Sequence, residues 1–184
     1  NANFVVSPEE IIPHPVSIFK SFPLSNNYLF FYTVASLYDK VKNYEKAEIH
    51  FKKAYKLKPD FKEGLMEYAE FLLRIKRLDR TLELVEDIKD DESLRFDYYL
   101  IKGRALQEME KYSEAIDNFL EGNKIYNSDI RLLNGLGYCF YKIGQNERAL
   151  NTLKASLRLN SAQEEVKKLI EKIEGKINRS DMFS

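Results

Sequence analysis

Apolar side chains recur with helical spacing along most of this chain, in short paired stretches separated by polar turns. First helices are predicted over about 27–41, 62–75, 96–109 and 130–143. Second helices are predicted over about 44–57, 78–89, 112–125 and 146–159. The turns fall at Lys42-Asn43, Lys76-Arg77, Glu110-Lys111 and Gly144-Gln145. Asn43 and Gly144 suit the left-handed conformation that often ends a helix. Pro59 stops the second helix of the first pair, because proline cannot continue it. A last helix over about 162–177 carries Val166, Leu169, Ile170, Ile173 and Ile177 on one face. Glu164, Lys168, Glu171, Lys172 and Lys176 occupy the opposite face.

The helix pairs repeat every 34 residues, from Tyr28, Lys62, Phe96 and Ile130, without insertion or deletion. Small residues align at Ala35, Ala69, Gly103 and Gly137, and again at Ala47, Thr81, Ala115 and Ala149. Large apolar residues align at Phe31, Leu65, Tyr99 and Leu133, and at Phe51, Val85, Phe119 and Leu153. A fixed period of this length signals stacked supersecondary units. Small residues let two helices approach, and the large ones fill the space between them. The second copy departs from the template at Thr81, Ile88, Asp91 and Ser93, so its second helix is expected to end early, near Lys89. Lys102 replaces an apolar residue and is expected to snorkel or reach a carboxylate. Glu171 stands in the Ala/Gly column, so the last helix is expected to close the stack with its polar side to water.

This pattern resembles the tetratricopeptide repeat. The first copy carries it most clearly, in Phe31, Val34-Ala35, Tyr38, Tyr44, Ala47, Phe51, Ala54 and Pro59. The resemblance implies an all-α fold, a right-handed α-α superhelix of antiparallel helix pairs. The repeat domain is expected over 27–178, with copies at 28–61, 62–95, 96–129 and 130–163, the capping helix at about 162–177 and a tail over 179–184. It also implies a concave surface lined by the first helices, on which a protein or peptide segment binds. The partner-facing residues it implies are Tyr32, Ser36, Met66, Glu70, Arg74, Leu100, Arg104, Arg131, Asn134, Tyr138 and Tyr141. One subtype clamps a chaperone's terminal carboxylate, but its columns hold Tyr32, Ser36, Glu67, Leu100 and Arg104 here. Only Arg104 suits an anion, so that role is not expected.

Composition narrows the function classes. The chain has 184 residues, and 29 basic and 29 acidic residues give a net charge of zero. General attraction to nucleic acid or to an anionic membrane is not implied. No apolar run approaches the ~20 residues of a membrane helix. Cys139 is the single cysteine, read as a small packing residue rather than a reactive thiol. His14 and His50 are isolated, and no phosphate loop, nucleophile elbow or paired-His motif is present. No catalytic residue, metal or cofactor is therefore expected. Cytoplasm and bacterial periplasm both fit the absence of disulfides.

Residues 1–26 differ from the rest. Pro8, Pro13, Pro15 and Pro23 forbid a long helix, so an extended segment is expected, yet it is rich in Phe, Val and Ile. Residues 4–24 are expected to pack on the exposed edge of the first repeat or run into the groove, to insert into a neighbouring molecule, or to belong to a preceding domain. Homo-oligomers through this segment or the end helices remain open. The leading expectation is an interaction scaffold from a larger protein. The alternatives are a helper domain of an enzyme outside this chain and a self-assembling structural unit.

Overall fold

The computed structural model describes residues 27–181, with side chains to residue 178. The segment over 1–26, expected to be extended, lies outside the described residues. Among the described residues there are nine α-helices, one short 3-10 helix and no strand. The helices are α1 (Tyr28–Lys40), α2 (Tyr44–Leu57), α3 (Lys62–Arg74), α4 (Leu78–Glu86), α5 (Arg95–Glu108), α6 (Tyr112–Ile125), α7 (Ile130–Lys142), α8 (Asn146–Leu159) and α9 (Glu164–Asp181). The 3-10 turn is Glu92–Leu94. The chain divides into two compact units within α3, between Phe71 and Leu72.

In the first unit α1 pairs with α2. Asn27 and Asn43 cap these helices, their side-chain oxygens accepting from the amides of Phe30 and Lys46 at 3.1 and 3.3 Å. Ala35 and Ala47 are fully buried, as the small-residue columns require. Phe51 is buried against Tyr68 and Phe71, with ring centroids 5.3 and 5.0 Å away.

In the second unit α5 pairs with α6, α7 with α8, and α9 packs on α8. A continuous core runs through Leu106, Phe119, Leu136, Phe140, Leu153 and Ile173. The small-residue positions are close approaches. A Cβ on Gly103 would lie 2.6 Å from the Phe119 ring, and one on Gly137 would lie 2.6 Å from Leu153. On α9, Val166, Ile170 and Ile173 are buried and Glu171 is exposed, the arrangement of a closing helix.

All four first helices end alike. The amides of Asn43, Arg77, Lys111 and Gln145 reach back to the carbonyls of Tyr38, Leu72, Leu106 and Phe140 at 2.8–2.9 Å. One residue earlier, Lys42, Lys76, Glu110 and Gly144 bond to the carbonyls of Asp39, Leu73, Gln107 and Tyr141. This is the Schellman arrangement, and it needs a left-handed residue. The φ angles there are 60°, 61°, 60° and 82°. Gly144 fills this role as expected, but Asn43 does not. Lys42 takes the left-handed conformation, and Asn43 is the cap of the next helix.

The second copy is irregular, and sooner than expected. Helix α4 ends at Glu86, where the pattern predicts about 89. Asp87, Ile88 and Lys89 continue with three-residue turn bonds to Leu84, Val85 and Glu86. Ile88 is buried at 4% exposure, so the tightened turn carries its side chain into the core. Thr81 is fully buried where alanine is usual, and its hydroxyl donates to the Arg77 carbonyl at 3.0 Å. That bond removes the penalty of an unsatisfied hydroxyl.

Candidate functional site

The partner-facing residues expected on the first helices differ in burial and in the contacts they make. In the first unit Tyr32 and Ser36 both donate their hydroxyls to Glu67, the serine at 2.7 Å. Tyr32 also packs edge-on against Phe61 at 5.3 Å. These two side chains thus hold α1 and α3 in register through one carboxylate. Met66 and Glu70 are half-buried on α3, and Arg74 is exposed near its end.

In the second unit Leu100 corrects the expectation. It is only 1% exposed and belongs to the core, because an aliphatic side chain between Asp97 and Arg104 gains more from burial than from facing water. Asn134 is half-buried in a polar network. Its amide donates to Gln163 Oε1 at 2.7 Å, and its carbonyl accepts from the buried Ser156 hydroxyl at 2.6 Å. Gln163 in turn donates to the Ser156 carbonyl and hydroxyl, both at 3.1 Å. The network ties α7, α8 and the entry to α9, and it satisfies a fully buried serine. Arg131 clasps Asp129 through Nε and a terminal nitrogen, at 3.0 and 2.6 Å. That hydrogen-bonded guanidinium holds the Asp129 carboxyl below its usual range.

Tyr138 and Tyr141 lie half-exposed on α7, and lysines gather around them. The Lys142 ammonium stands 5.2 Å from the Tyr112 ring and 5.7 Å from the Tyr138 ring. Lys172 and Lys176 on α9 stand 5.5 and 5.9 Å from the Tyr141 ring. A hydrogen bond with the Tyr112 hydroxyl keeps Lys142 above the usual lysine range. Arg104 is half-buried on α5, the helix beside α7. Glu67, Lys172 and Lys176 are absent from the expected partner-facing set. For the two lysines the signal is the period itself, since 172 and 176 lie 34 residues beyond Tyr138 and Lys142.

Elsewhere in the second unit, α4, α5 and α6 line a cleft of about 630 Å³. Asp79, Glu83, Glu86, Glu114 and Asp117 make it acidic. Lys102 answers the expectation made for it, with Nζ 2.6 Å from Glu86 and 2.6 Å from the Tyr98 hydroxyl. The Lys102 hydrogen bond lowers the Glu86 carboxyl from its ordinary value. Burial pulls Lys102 down, but its bonds to Glu86 and Tyr98 outweigh this and hold it raised.

Cys139 is fully buried, 3.8 Å from Gln107 Oε1, and burial pushes its thiol up to about 12. Among the described residues no cluster of His, Cys, Asp or Glu could hold a metal ion. No described helix is long and apolar enough to cross a membrane.

Known proteins resemble this arrangement. The family model for anaphase-promoting complex, cyclosome, subunit 3 matches residues 40–122. A tetratricopeptide-repeat model matches residues 130–163. The TPR repeat-containing protein YpiA of Bacillus subtilis (strain 168) is 26% identical over 156 residues, covering 84% of this chain and 36% of that protein. This chain thus spans about a third of that relative's length. MamA from Desulfovibrio magneticus RS-1 superposes with a TM-score of 0.73 at 13% identity, covering 82% of this chain and 85% of MamA. YrrB, described as a TPR protein with an unusual peptide-binding site, gives 0.69 at 14% identity, covering 80% of this chain and 76% of YrrB.

Proposed function

The chain is a tetratricopeptide-repeat protein, and on that premise we propose that it binds a protein or peptide segment on its first-helix faces. Such repeats serve generally as interaction scaffolds rather than as catalysts. The observation that carries this reading is the position of Tyr138 and Tyr141. Seven residues of α7 are buried, yet these two aromatic side chains stay partly exposed beside cationic groups. Tyrosine and arginine are the residue types on which binding energy concentrates at interfaces. Arg104, on the neighbouring α5, supplies the second anchor type. The peptide-binding site named for YrrB supports the same reading, as a property of a protein with this fold.

The test is capture of a binding partner from the source organism by the intact chain, with Arg104→Glu and Tyr138→Ala beside it. Each substitution is expected to weaken capture at least tenfold while the helical circular dichroism stays unchanged. Capture indifferent to both would move the site away from these helices. A second reading rests on coverage. Since this chain spans 36% of YpiA, the repeat domain acts within a longer protein, presenting a partner to a neighbouring domain. The parent sequence decides this reading: a gene encoding nothing beyond these residues would end it.

A further inference from the structure

The 34-residue period does not stop at the fourth copy. Carried one step on, it maps Tyr138 to Lys172 and Lys142 to Lys176, both on α9. The packing obeys the same register. Val166, Ile170 and Ile173 turn inward, while Lys172 and Lys176 stay exposed and lie over the ring of Tyr141. The closing helix therefore continues the surface that α7 begins.

That surface carries a cluster of ammonium groups. Lys142, Lys172 and Lys176 contact aromatic rings, and among the described residues none of the three is in an ion pair. Glu110 is the acid whose charge Lys142 feels. On α9, Glu174 is engaged by Lys154 of α8 at 2.6 Å. Other lysines of this unit do find carboxylates, as Lys102 does with Glu86 and Lys76 with Glu108. An ammonium held against a tyrosine face keeps its charge and still has N–H donors for an incoming carboxylate. Three such groups bracketing two half-exposed tyrosines fit carboxylates flanking an apolar side chain.

We infer that the α7–α9 face, built from Tyr138, Tyr141, Lys142, Lys172 and Lys176, is the docking site for an acidic peptide segment. This rests on the scaffold reading and names the chemistry of its partner. The closing helix is then part of the recognition surface as well as the end of the stack. Attraction of this kind is salt-dependent, because the groups are exposed.

The test uses the full chain and fluorescence anisotropy. The probe is a labelled twelve-residue peptide of alternating Glu and Asp around a central Phe-Leu pair. Its partner probe carries Gln and Asn at every acidic position. The acidic probe is expected to bind at least tenfold more tightly than its amide counterpart. Replacing Lys142, Lys172 and Lys176 together by Glu is expected to weaken it at least tenfold. The same three changed to Gln give a milder loss in the same direction, and serve if charge reversal disturbs folding. Reversing Lys56, Lys89 and Lys124 instead is expected to change affinity less than twofold. Equal binding of both probes, or equal loss with the control reversals, overturns the inference. If neutral peptides bind and Arg104→Glu or Tyr138→Ala abolishes that binding, the scaffold reading stands while the acidic specificity falls. If no acidic, neutral or basic peptide of this length binds, both fall.

Discussion

The first and fourth copies share one template but not one fate. Helix α1 buries a single residue, Ala35, whereas α7 buries seven. Matching columns show where the difference arises. Leu37 and Cys139 are equivalent positions, yet Leu37 is 42% exposed and Cys139 is fully buried. The cover over α7 comes from the third copy. Leu132 packs where a Cβ on Gly122 would be 2.7 Å away, and Phe119 presses on Gly135. Helix α1 has an apolar face of the same kind, with Leu29, Leu37 and Val41 each more than 40% exposed. A repeat template thus carries two packing faces, and among the described residues one face of the first copy stays exposed. At the other end α9 resolves this by being apolar inside and charged outside.

Substitutions within one column test that contrast most sharply. Cys139→Asp buries an unpaired charge and is expected to cost at least ~3 kcal/mol. Leu37→Asp, in the same column, is expected to cost under ~0.5 kcal/mol, as exposed substitutions do. Thermal denaturation of both variants measures the gap. A large cost at Leu37 would mean that α1 is covered in solution.

Close helix contacts come next. Gly137→Leu forces a side chain into space already held by Leu153, for a loss of roughly 1–3 kcal/mol or more. Urea midpoints give the value, and an unshifted midpoint would show that the α7–α8 contact yields.

The shared helix ending allows a comparison in opposite directions. Lys42→Gly relieves a left-handed lysine and is expected to add about 0.5–1 kcal/mol, net of the entropy a glycine adds to the unfolded chain. Gly144→Ala, at the matching position, is expected to remove about 1 kcal/mol. Melting temperatures moving in the same direction would contradict the common motif.

The smallest effect concerns pH. Glu86 is depressed in the folded state by its bond to Lys102. Its contribution is complete above the ordinary carboxylate value of 4.5 and fades as pH falls through the lower folded value. The pair is partly exposed, so the contribution is under ~1 kcal/mol. Stability measured against pH should show wild type and Glu86→Gln converging as the solution is acidified below 4.5. A constant offset across that range would assign the stabilisation to packing.

The fold was readable in the sequence because close packing writes itself into residue size. Ala35, Ala47, Gly103, Gly137 and Ala149 announce which helices touch. The early end of α4 was readable in kind, from Ile88 and Asp91, but not to the residue. Turn tightening depends on where the Ile88 side chain finds its pocket, and that is a tertiary matter. The partner-facing set was less readable. Leu100 carried its own signal, an aliphatic residue in a mixed column. Asn134 carried none, because its partners Ser156 and Gln163 are 22 and 29 residues away. The lysines of α9 were within reach of the period but masked by the polarity of a solvated helix face.

Cys139 has a practical consequence. As the chain's single cysteine, it is fully enclosed, and its thiol stays protonated at neutral pH. Maleimides are attacked by the thiolate and not by the protonated thiol, so the native chain is silent toward them while folded. A cysteine introduced at any exposed position then becomes a unique attachment point for a dye or spin label. Slow reaction at Cys139 itself would count the moments when α7 comes away from the third copy, where Gln107 lies 3.8 Å from its sulfur.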